Sequence, residues 1–181
     1  MTSIETADTV DPTTHNLHYY RMFPDVRPPL VATQGSACFD LYAYLSTDRV
    51  VRSKTTHHAM LTEYPTKEGI EIHPKQIMMI PTGIKFDIPH DRVLQIYARS
   101  SLCWGIGLSL ANHVGVVDSD YVEEVFLPVR NVINKTILIP NGIRLAQARL
   151  LKKHTYNIIE MNNEPEHKTE RVGGFGSTGN N

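Results

Sequence analysis

Apolar and polar side chains alternate along several short segments of this 181-residue chain. Ile84, Phe86 and Ile88 are separated by charged residues, which is the period-two pattern of a half-buried β-strand. The same alternation predicts a strand at 124–130, and runs rich in strand-forming residues predict two more at 93–98 and 135–139. Turn sequences rich in Pro, Gly and Asn separate these segments at short intervals. The pattern predicts an all-β domain of the sandwich, barrel or jelly-roll type.

The remaining segments suggest how this domain is bounded. Residues 1–16 are polar and threonine-rich, and we expect them to be loose. Residues 17–166 form the single predicted domain, with a helical turn or two at most near 101–105. Within it, residues 46–67 are polar and mixed in charge, which favours an inserted loop or excursion. Residues 167–181 are rich in glycine, so ordering them costs backbone entropy, and we expect a flexible C-terminal arm.

Composition excludes several classes of function. The formal net charge of −1 gives no basic field for direct nucleic-acid binding. No apolar run approaches the roughly 20 residues of a membrane span, and the polar N-terminus has no signal-peptide pattern. Two cysteines, Cys38 and Cys103, make neither a disulfide framework nor a metal set, which favours a reducing cytoplasm. The nine histidines are scattered, so a metal site built from side chains is not expected.

Five segments carry polar side chains that core packing does not require. A carboxylate interrupts the small, apolar strand 35–43, and a cation beside two hydroxyls in 98–102 suits phosphate oxygens. The others are 112–131, 141–147 and the tail 171–181, whose single aromatic offers a face for a planar ring. Taken singly each signal is weak, because an Asp-Ser-Asp is usually a turn, an Arg-Ser-Ser is usually surface and a Gly/Ser tail is usually disordered.

In this order the five segments resemble the five motifs of the trimeric dUTPase family (deoxyuridine 5′-triphosphate nucleotidohydrolases), over roughly residues 30–179. The resemblance implies a distorted jelly-roll or β-barrel and a homotrimer with active sites shared between chains. It also implies hydrolysis of dUTP to dUMP and pyrophosphate, which limits uracil in DNA and supplies dUMP for thymidylate synthesis. Mg²⁺ would be the cofactor, held on the triphosphate by phosphate oxygens and water.

The resemblance assigns roles to individual residues. Asp118 aligns with the carboxylate that activates the attacking water, and Asn112 with the amide that reads uracil. Tyr121 aligns with the aromatic that packs on deoxyribose, although a core tyrosine is the structural alternative. The implied substrate-binding set is Arg99, Ser100, Ser101, Asn112, Val116, Val117, Tyr121, Phe126, Gln147, Arg171, Phe175, Gly176, Ser177 and Thr178.

Within that set, the resemblance divides the triphosphate among separate groups. Ser100 aligns with a hydroxyl near the α,β-bridging oxygen, where charge develops. Arg171 and the hydroxyls of Ser177 and Thr178 would hold the γ end, while Phe175 would stack over uracil. Asp40 either touches the magnesium shell through water or is a structural carboxylate, and both alternatives stay open. Arg144 is expected to be an ion-pair partner rather than a ligand.

The sequence also departs from the family pattern. Glu123 stands where glycine is usual and adds bulk and charge near the site, and Arg171 is one residue closer to Gly173 than usual. The longer stretch at 46–67 is familiar among viral and phage members, and we expect it to contact a protein partner or a neighbouring subunit. A viral source would place the protein in the host cytoplasm or nucleus. Two alternatives remain: a dCTP deaminase-type relative, and a nucleotide-gated regulatory protein that uses the insertion.

Overall fold

The structure is a computed structural model and describes residues 15–55 and 59–169. Nearly all regular structure in these ranges is β-strand, and every strand pairing is antiparallel. The strands are β1 (His18–Arg21), β2 (Leu30–Val31), β3 (Phe39–Tyr42), β4 (Val51–Lys54), β5 (Met60–Glu63), β6 (Ile70–Ile72), β7 (Ile77–Pro81), β8 (Ile84–Asp87), β9 (Arg92–Ala98), β10 (Leu108–Leu110), β11 (Val114–Val117), β12 (Phe126–Asn131), β13 (Ile137–Ile139) and β14 (Arg144–Lys152). The all-β prediction is therefore confirmed.

Two five-stranded sheets carry most of the fold. Their strand orders are β10-β12-β7-β4-β5 and β11-β9-β14-β3-β2, and two-stranded pairs β1-β8 and β13-β6 accompany them. Both large sheets contribute to one apolar cluster: Leu127 and Val129 come from β12, and Leu94 and Ile96 come from β9. In β12 the alternation that predicted the strand is the alternation of its buried and outward faces.

Residues 46–67, which we predicted as a loop or excursion, contain a β-hairpin instead. β4 pairs with β5 on one side and with β7 on the other, so the hairpin extends a large sheet. Val51 and Ser53 face the core, whereas Arg52 and Lys54 face outward. The loop prediction was wrong because the buried face of β4 includes a serine, which hides the apolar alternation. Ser53 is satisfied there by hydrogen bonds with Gln76 (2.8 Å) and Glu63.

The short helical segment lies where the sequence predicted one. It is a single π-helical turn, Leu102–Ile106, and only Leu102 is buried within it. Gly107 ends the turn with a φ of +85°, a left-handed conformation that glycine adopts readily.

The terminal predictions fall largely outside the described residues. The loose N-terminus and the flexible arm were assigned to 1–16 and 167–181, and residues 1–14 and 170–181 are not described. These assignments remain predictions. In the described ranges, no helix is long and apolar enough to cross a membrane.

Gly69 precedes β6 and lies close to the end of β13, the strand that pairs with β6. Its φ is +136°, and an added Cβ would lie 2.1 Å from the carbonyl oxygen of Ile139. We expect Gly69→Ala to lower the free energy of unfolding by about 2–4 kcal/mol, because both the backbone conformation and the contact oppose a side chain. Urea denaturation measures this. Gly35→Ala is the matched control, since no heavy atom lies within 4 Å of that Cβ position. Equal stability of the two variants would contradict this account of Gly69.

Candidate active site

A cavity of about 340 Å³ opens beside β11, and we call it the β11 cavity. The chain leaves β10 through a tight turn, in which His113 has a φ of +60° and the Val114 N–H donates to the Asn112 carbonyl at 2.7 Å. This turn carries the chain from one large sheet to the edge of the other. Six residues of the predicted site line the cavity: Asn112, Val116, Val117, Asp118, Tyr121 and Phe126.

A second turn fixes the catalytic candidate relative to the aromatic ring. The Tyr121 N–H donates to the Asp118 carbonyl oxygen at 3.1 Å, so both side chains belong to one turn at the cavity wall. Tyr121 is 42% exposed, and its hydroxyl donates to the Glu124 carbonyl at 2.8 Å. The alternative that Tyr121 is a core tyrosine is therefore wrong, because its ring lines the cavity rather than the core.

Gly115 permits the close approach of the Asn112 amide to β11. A Cβ at this position would lie 3.4 Å from Asn112 Nδ2 and 3.2 Å from the Cβ of Ile96 on the adjacent strand. A side chain here would press on both neighbours. The glycine therefore leaves room for the Asn112 side-chain amide beside β11.

Glu124 is a buried carboxylate next in sequence to Val125, which lines the β11 cavity. It is 5% exposed, and Arg49 holds both its oxygens, with Nη2–Oε2 at 2.6 Å and Nη1–Oε1 at 3.1 Å. The Gly83 N–H donates to Oε1 at 2.7 Å. Since the Glu124 carbonyl also accepts from Tyr121, this network connects the start of the hairpin to the cavity wall.

Aromatic rings surround the arginine of this network. The Arg49 guanidinium lies 5.2 Å from the Phe23 ring centroid and 5.6 Å from that of Tyr44, and the two rings stack at 5.1 Å. Burial and the hydrogen bond to Asp25 raise the pKa of Tyr44 to about 12. The phenol therefore stays protonated and continues to donate to Asp25 at neutral pH.

Sequence reasoning missed both members of the Arg49–Glu124 pair. Arg49 lies in the segment predicted as a loop, and Glu124 was assigned to the polar positions of its strand. Glu123, which we expected to add charge near the site, has a side chain that is 70% exposed and pairs with Lys85 at 2.8 Å. It is not among the residues that line the β11 cavity.

A second cavity, of about 400 Å³, lies over β3, and we call it the Asp40 cavity. Asp40 is buried, with Oδ1 at 3.0 Å from Arg99 Nε and Oδ2 at 3.2 Å from Arg144 Nη1. As expected, Arg144 is an ion-pair partner. Ser100 and Gln147 also line this cavity, and Gln147 donates to the Ala98 carbonyl at 3.1 Å.

These contacts bear on the magnesium expectation for Asp40. Both of its oxygens already face arginines, so the structural alternative for this carboxylate has the support of the geometry. Across the described part of the chain, no group of three or more His, Cys, Asp and Glu side chains is arranged to hold a metal ion. The described side chains therefore do not form a set of protein ligands that could hold Mg²⁺ without the substrate.

Within one chain the predicted site is divided. Asn112, Asp118 and Tyr121 line the β11 cavity, whereas Arg99, Ser100 and Gln147 line the Asp40 cavity. Ser101 is exposed and lines neither. The predicted arm residues lie outside the described ranges, namely Arg171, Phe175, Gly176, Ser177 and Thr178. The other residues that line the β11 cavity include Arg52, Met79 and Pro128, none of which the sequence identified as a site residue.

The fold and its two cavities define an antiparallel β protein with a polar, partly aromatic ligand site. A family model described as dUTPase matches residues 64–179 of this chain. The deoxyuridine 5′-triphosphate nucleotidohydrolase of Finegoldia magna is 35% identical over 152 residues, which cover 83% of this chain and 90% of that relative. The enzyme of the same name from Desulfitobacterium hafniense is 33% identical over 162 residues, covering 89% and 93%. The chain belongs to the dUTPase family.

Solved structures extend the likeness to the fold. The dUTPase of Staphylococcus bacteriophage 80alpha, solved with dUPNHPP, has a TM-score of 0.69 at 18% identity, covering 92% of this chain and 99% of that one. The dUTPase of Streptococcus mutans has a TM-score of 0.59 at 23% identity, covering 77% and 98%. The dUTPase-type jelly roll predicted from the sequence is thereby confirmed.

The Arg49–Glu124 pair yields a stability prediction. We expect Arg49→Ala to lower the free energy of unfolding by about 3 kcal/mol, because it leaves the Glu124 carboxylate buried without its cation. Adding Glu124→Gln to this variant should recover part of the loss, since the neutral amide is cheaper to bury. Urea denaturation of the single and double variants measures both effects.

The control for this prediction is Lys85→Ala, which removes the cation of the neighbouring Glu123. That pair lies at the surface, where solvent screens it, so we expect little change in stability. A loss in Arg49→Ala no larger than in Lys85→Ala would contradict the importance given to the buried pair.

Proposed function

We propose that this protein hydrolyses dUTP to dUMP and pyrophosphate by attack of water on the α-phosphorus. The observation that carries the proposal is the β11 cavity, which gathers Asn112, Asp118 and Tyr121 in a chain of the dUTPase family. The reaction would limit uracil in DNA and supply dUMP. A cytoplasmic location is consistent with the free thiols of Cys38 and Cys103.

Recognition of uracil and deoxyribose is proposed for one wall of this cavity. β11 is an edge strand that pairs with β9, so its outer N–H and C=O groups face no other strand of the described ranges. Backbone groups of Val116 and Val117 can then pair with the polar edge of uracil, and the Asn112 amide both donates and accepts. The Tyr121 ring packs against the deoxyribose and leaves no room for a 2′-hydroxyl. Phe126 contributes apolar surface to the same cavity.

The chemical step is proposed for the carboxylate of Asp118. It takes a proton from water as the water oxygen bonds to the α-phosphorus, and the bond from that phosphorus to the α,β-bridging oxygen breaks. Pyrophosphate then leaves with the negative charge. Arg99 and the Ser100 hydroxyl would stabilise the charge that develops on the phosphate oxygens. Ser101 and Gln147 complete the proposed phosphate-binding set. Ser101 is exposed outside the Asp40 cavity, so its side chain would have to move toward the phosphates.

The division of the site between two cavities supports a homotrimer with shared active sites. In such an assembly one chain offers the β11 cavity and a neighbour offers the Asp40 cavity, so that nucleoside and phosphates meet between chains. The segment after β14 adds support, because Tyr156, Ile158 and Ile159 are largely exposed on a single chain. Apolar side chains of this size are covered when a second chain packs on them.

Magnesium and the arm complete the proposal. Because Asp40 is paired with two arginines, we assign Mg²⁺ to the phosphate oxygens, and the substrate is Mg–dUTP. From the arm, Arg171 and the hydroxyls of Ser177 and Thr178 would bind the γ-phosphate. Phe175 would stack on uracil, and Gly176 would allow the backbone to approach the nucleotide.

The decisive experiment measures pyrophosphate release from dUTP, dCTP, dTTP and UTP in the presence of Mg²⁺. We expect release from dUTP alone. Asp118→Asn should lower kcat by at least about 100-fold while dUTP still binds, because it removes the general base and keeps the side-chain shape. Asp120→Asn is the matched control: it lies two residues away in the same exposed segment and does not line the β11 cavity.

Other outcomes identify other functions. Ammonia released from dCTP would replace the proposal with the deaminase alternative. Binding of dUTP without turnover would leave a nucleotide-gated regulator. Undiminished turnover in Asp118→Asn would contradict the assignment of the general base.

We also propose that the hairpin in residues 46–67 contacts another protein. β5 is the outer strand of its sheet and exposes Met60 and Leu61, with Tyr64 exposed just beyond it. Deleting the hairpin is not a clean test, because deletion removes Arg49. We expect Met60→Ser/Leu61→Ser to leave both turnover and the trimer intact, measured by sedimentation equilibrium, since the edge serves a different protein. Dissociation of the trimer would instead identify the edge as a subunit contact.

A further inference from the structure

Among the residues that the structure describes, Arg52 is a cation without a partner at the wall of the β11 cavity. It lies on β4, is exposed, and lines the same cavity as Asp118 and Tyr121. Yet it makes no ion pair and no hydrogen bond with any residue in 15–55 or 59–169. Asp118 is a carboxylate in the same cavity, and the two side chains do not pair. Both are therefore available to a ligand.

The position of Arg52 follows from the sheet register. Arg52 lies opposite Met79 of β7, and Met79 lies opposite Pro128 of β12. Residues directly opposite in an antiparallel sheet point to the same face, so these three form one row across the sheet. All three line the β11 cavity. The hairpin thus adds a charged end to a wall that is otherwise apolar.

The strand that carries Arg52 is held firmly from its buried face. The neighbouring Ser53 is buried, and the amide of Gln76 donates to Ser53 Oγ and to Glu63 Oε1, each at 2.8 Å. These contacts join β4, β5 and the start of β7 through a buried polar network. A fixed strand loses less entropy when its side chain engages a ligand than a mobile loop does.

The chemistry of the guanidinium indicates what it binds. It carries five N–H donors, accepts no hydrogen bond and stays charged at all accessible pH values. At neutral pH the uracil and deoxyribose of the proposed substrate are uncharged, and the negative charge lies on the phosphates. We propose that Arg52 is a further substrate-binding residue whose guanidinium donates to oxygens of the triphosphate. This inference rests on the proposed function.

The proposal also gives the hairpin a role in the reaction site itself. The resemblance assigned the phosphates to residues 98–102, 141–147 and the arm, none of which belongs to 46–67. Arg52 supplies a positive charge from β4, a strand of one of the large sheets. The expected consequence is tighter binding of the charged end of the nucleotide.

The test compares Arg52→Ala with Lys54→Ala, using full-length protein. Lys54 lies on the same strand and the same exposed face, carries the same charge, and does not line the β11 cavity. Calorimetry would measure binding of deoxyuridine, dUMP and the α,β-imido analogue of dUTP. We expect Arg52→Ala to weaken binding of the imido analogue by about 10- to 100-fold, because a charge-assisted contact is lost. Deoxyuridine binding should be unchanged, and Lys54→Ala should match wild type throughout.

Two further measurements separate a ligand contact from a structural one. Arg52→Lys should recover part of the affinity, because it keeps the charge but loses the bidentate geometry. Salt should weaken binding of the imido analogue less in Arg52→Ala than in wild type, since one screened charge pair is gone. Sedimentation equilibrium and thermal unfolding establish that each variant keeps the wild-type assembly and fold.

Three results would overturn the inference. An equal loss for deoxyuridine and the imido analogue would place Arg52 on the base or sugar, and equal behaviour of Arg52→Ala and Lys54→Ala would remove it from the site. Dissociation of Arg52→Ala alone would make Arg52 a subunit contact. The proposed function fails separately, if wild-type protein neither binds nor hydrolyses dUTP.

Discussion

The buried carboxylate of Glu124 is the interaction on which the site's construction depends. Burying a charge is costly unless it is paired and fully hydrogen-bonded, and Glu124 meets both conditions through Arg49 and the Gly83 N–H. Its backbone carbonyl accepts from Tyr121. One residue therefore joins the start of the hairpin, the turn between β7 and β8, and the aromatic wall of the β11 cavity. The hydroxyl of Tyr121 is thereby attached to the backbone of the residue whose side chain carries the buried charge.

Asp40 plays the corresponding part in the second cavity. Here a buried carboxylate holds two arginines, and Arg99 approaches it through Nε. This contact orients the guanidinium plane and leaves the two terminal nitrogens of Arg99 for an anion. An unpaired carboxylate would repel the phosphates proposed to bind in this cavity, but flanked by two cations it leaves a net positive local charge. The cavity combines an oriented donor group with that charge.

The sequence was informative where one face of a strand is uniformly apolar. β8 and β12 were predicted near their observed positions from alternating side chains, and β9 and β13 from short runs of residues that favour strands. β4 was missed because its buried face includes Ser53, whose partners, Glu63 and Gln76, are 10 and 23 residues away. Periodicity reports side-chain hydrophobicity and carries no information about a polar network closed by distant residues.

The same limit explains which site residues were found. Asn112, Asp118 and Tyr121 lie within ten residues of one another, so a local motif brings them to attention, and the structure places them around one cavity. Glu124 follows at once in sequence, but its partner Arg49 is 75 residues away, and a glutamate in a polar position predicts exposure. Arg52 reaches the cavity only through the register of β4 on β7. That register depends on how two strands pair in the folded protein, so it could not be predicted from the sequence alone.

Division of the site between two cavities has a thermodynamic consequence for the proposed trimer. A nucleotide that contacts the β11 cavity of one chain and the Asp40 cavity of another binds the assembly and not the separated chains. By mass action such a ligand stabilises the assembled state by RT ln(1 + [L]/Kd) for each site. The same coupling operates in reverse, because chains that separate lose half of each site. In the proposed arrangement assembly is part of substrate recognition, and the exposed apolar segment after β14 would supply contact area for it.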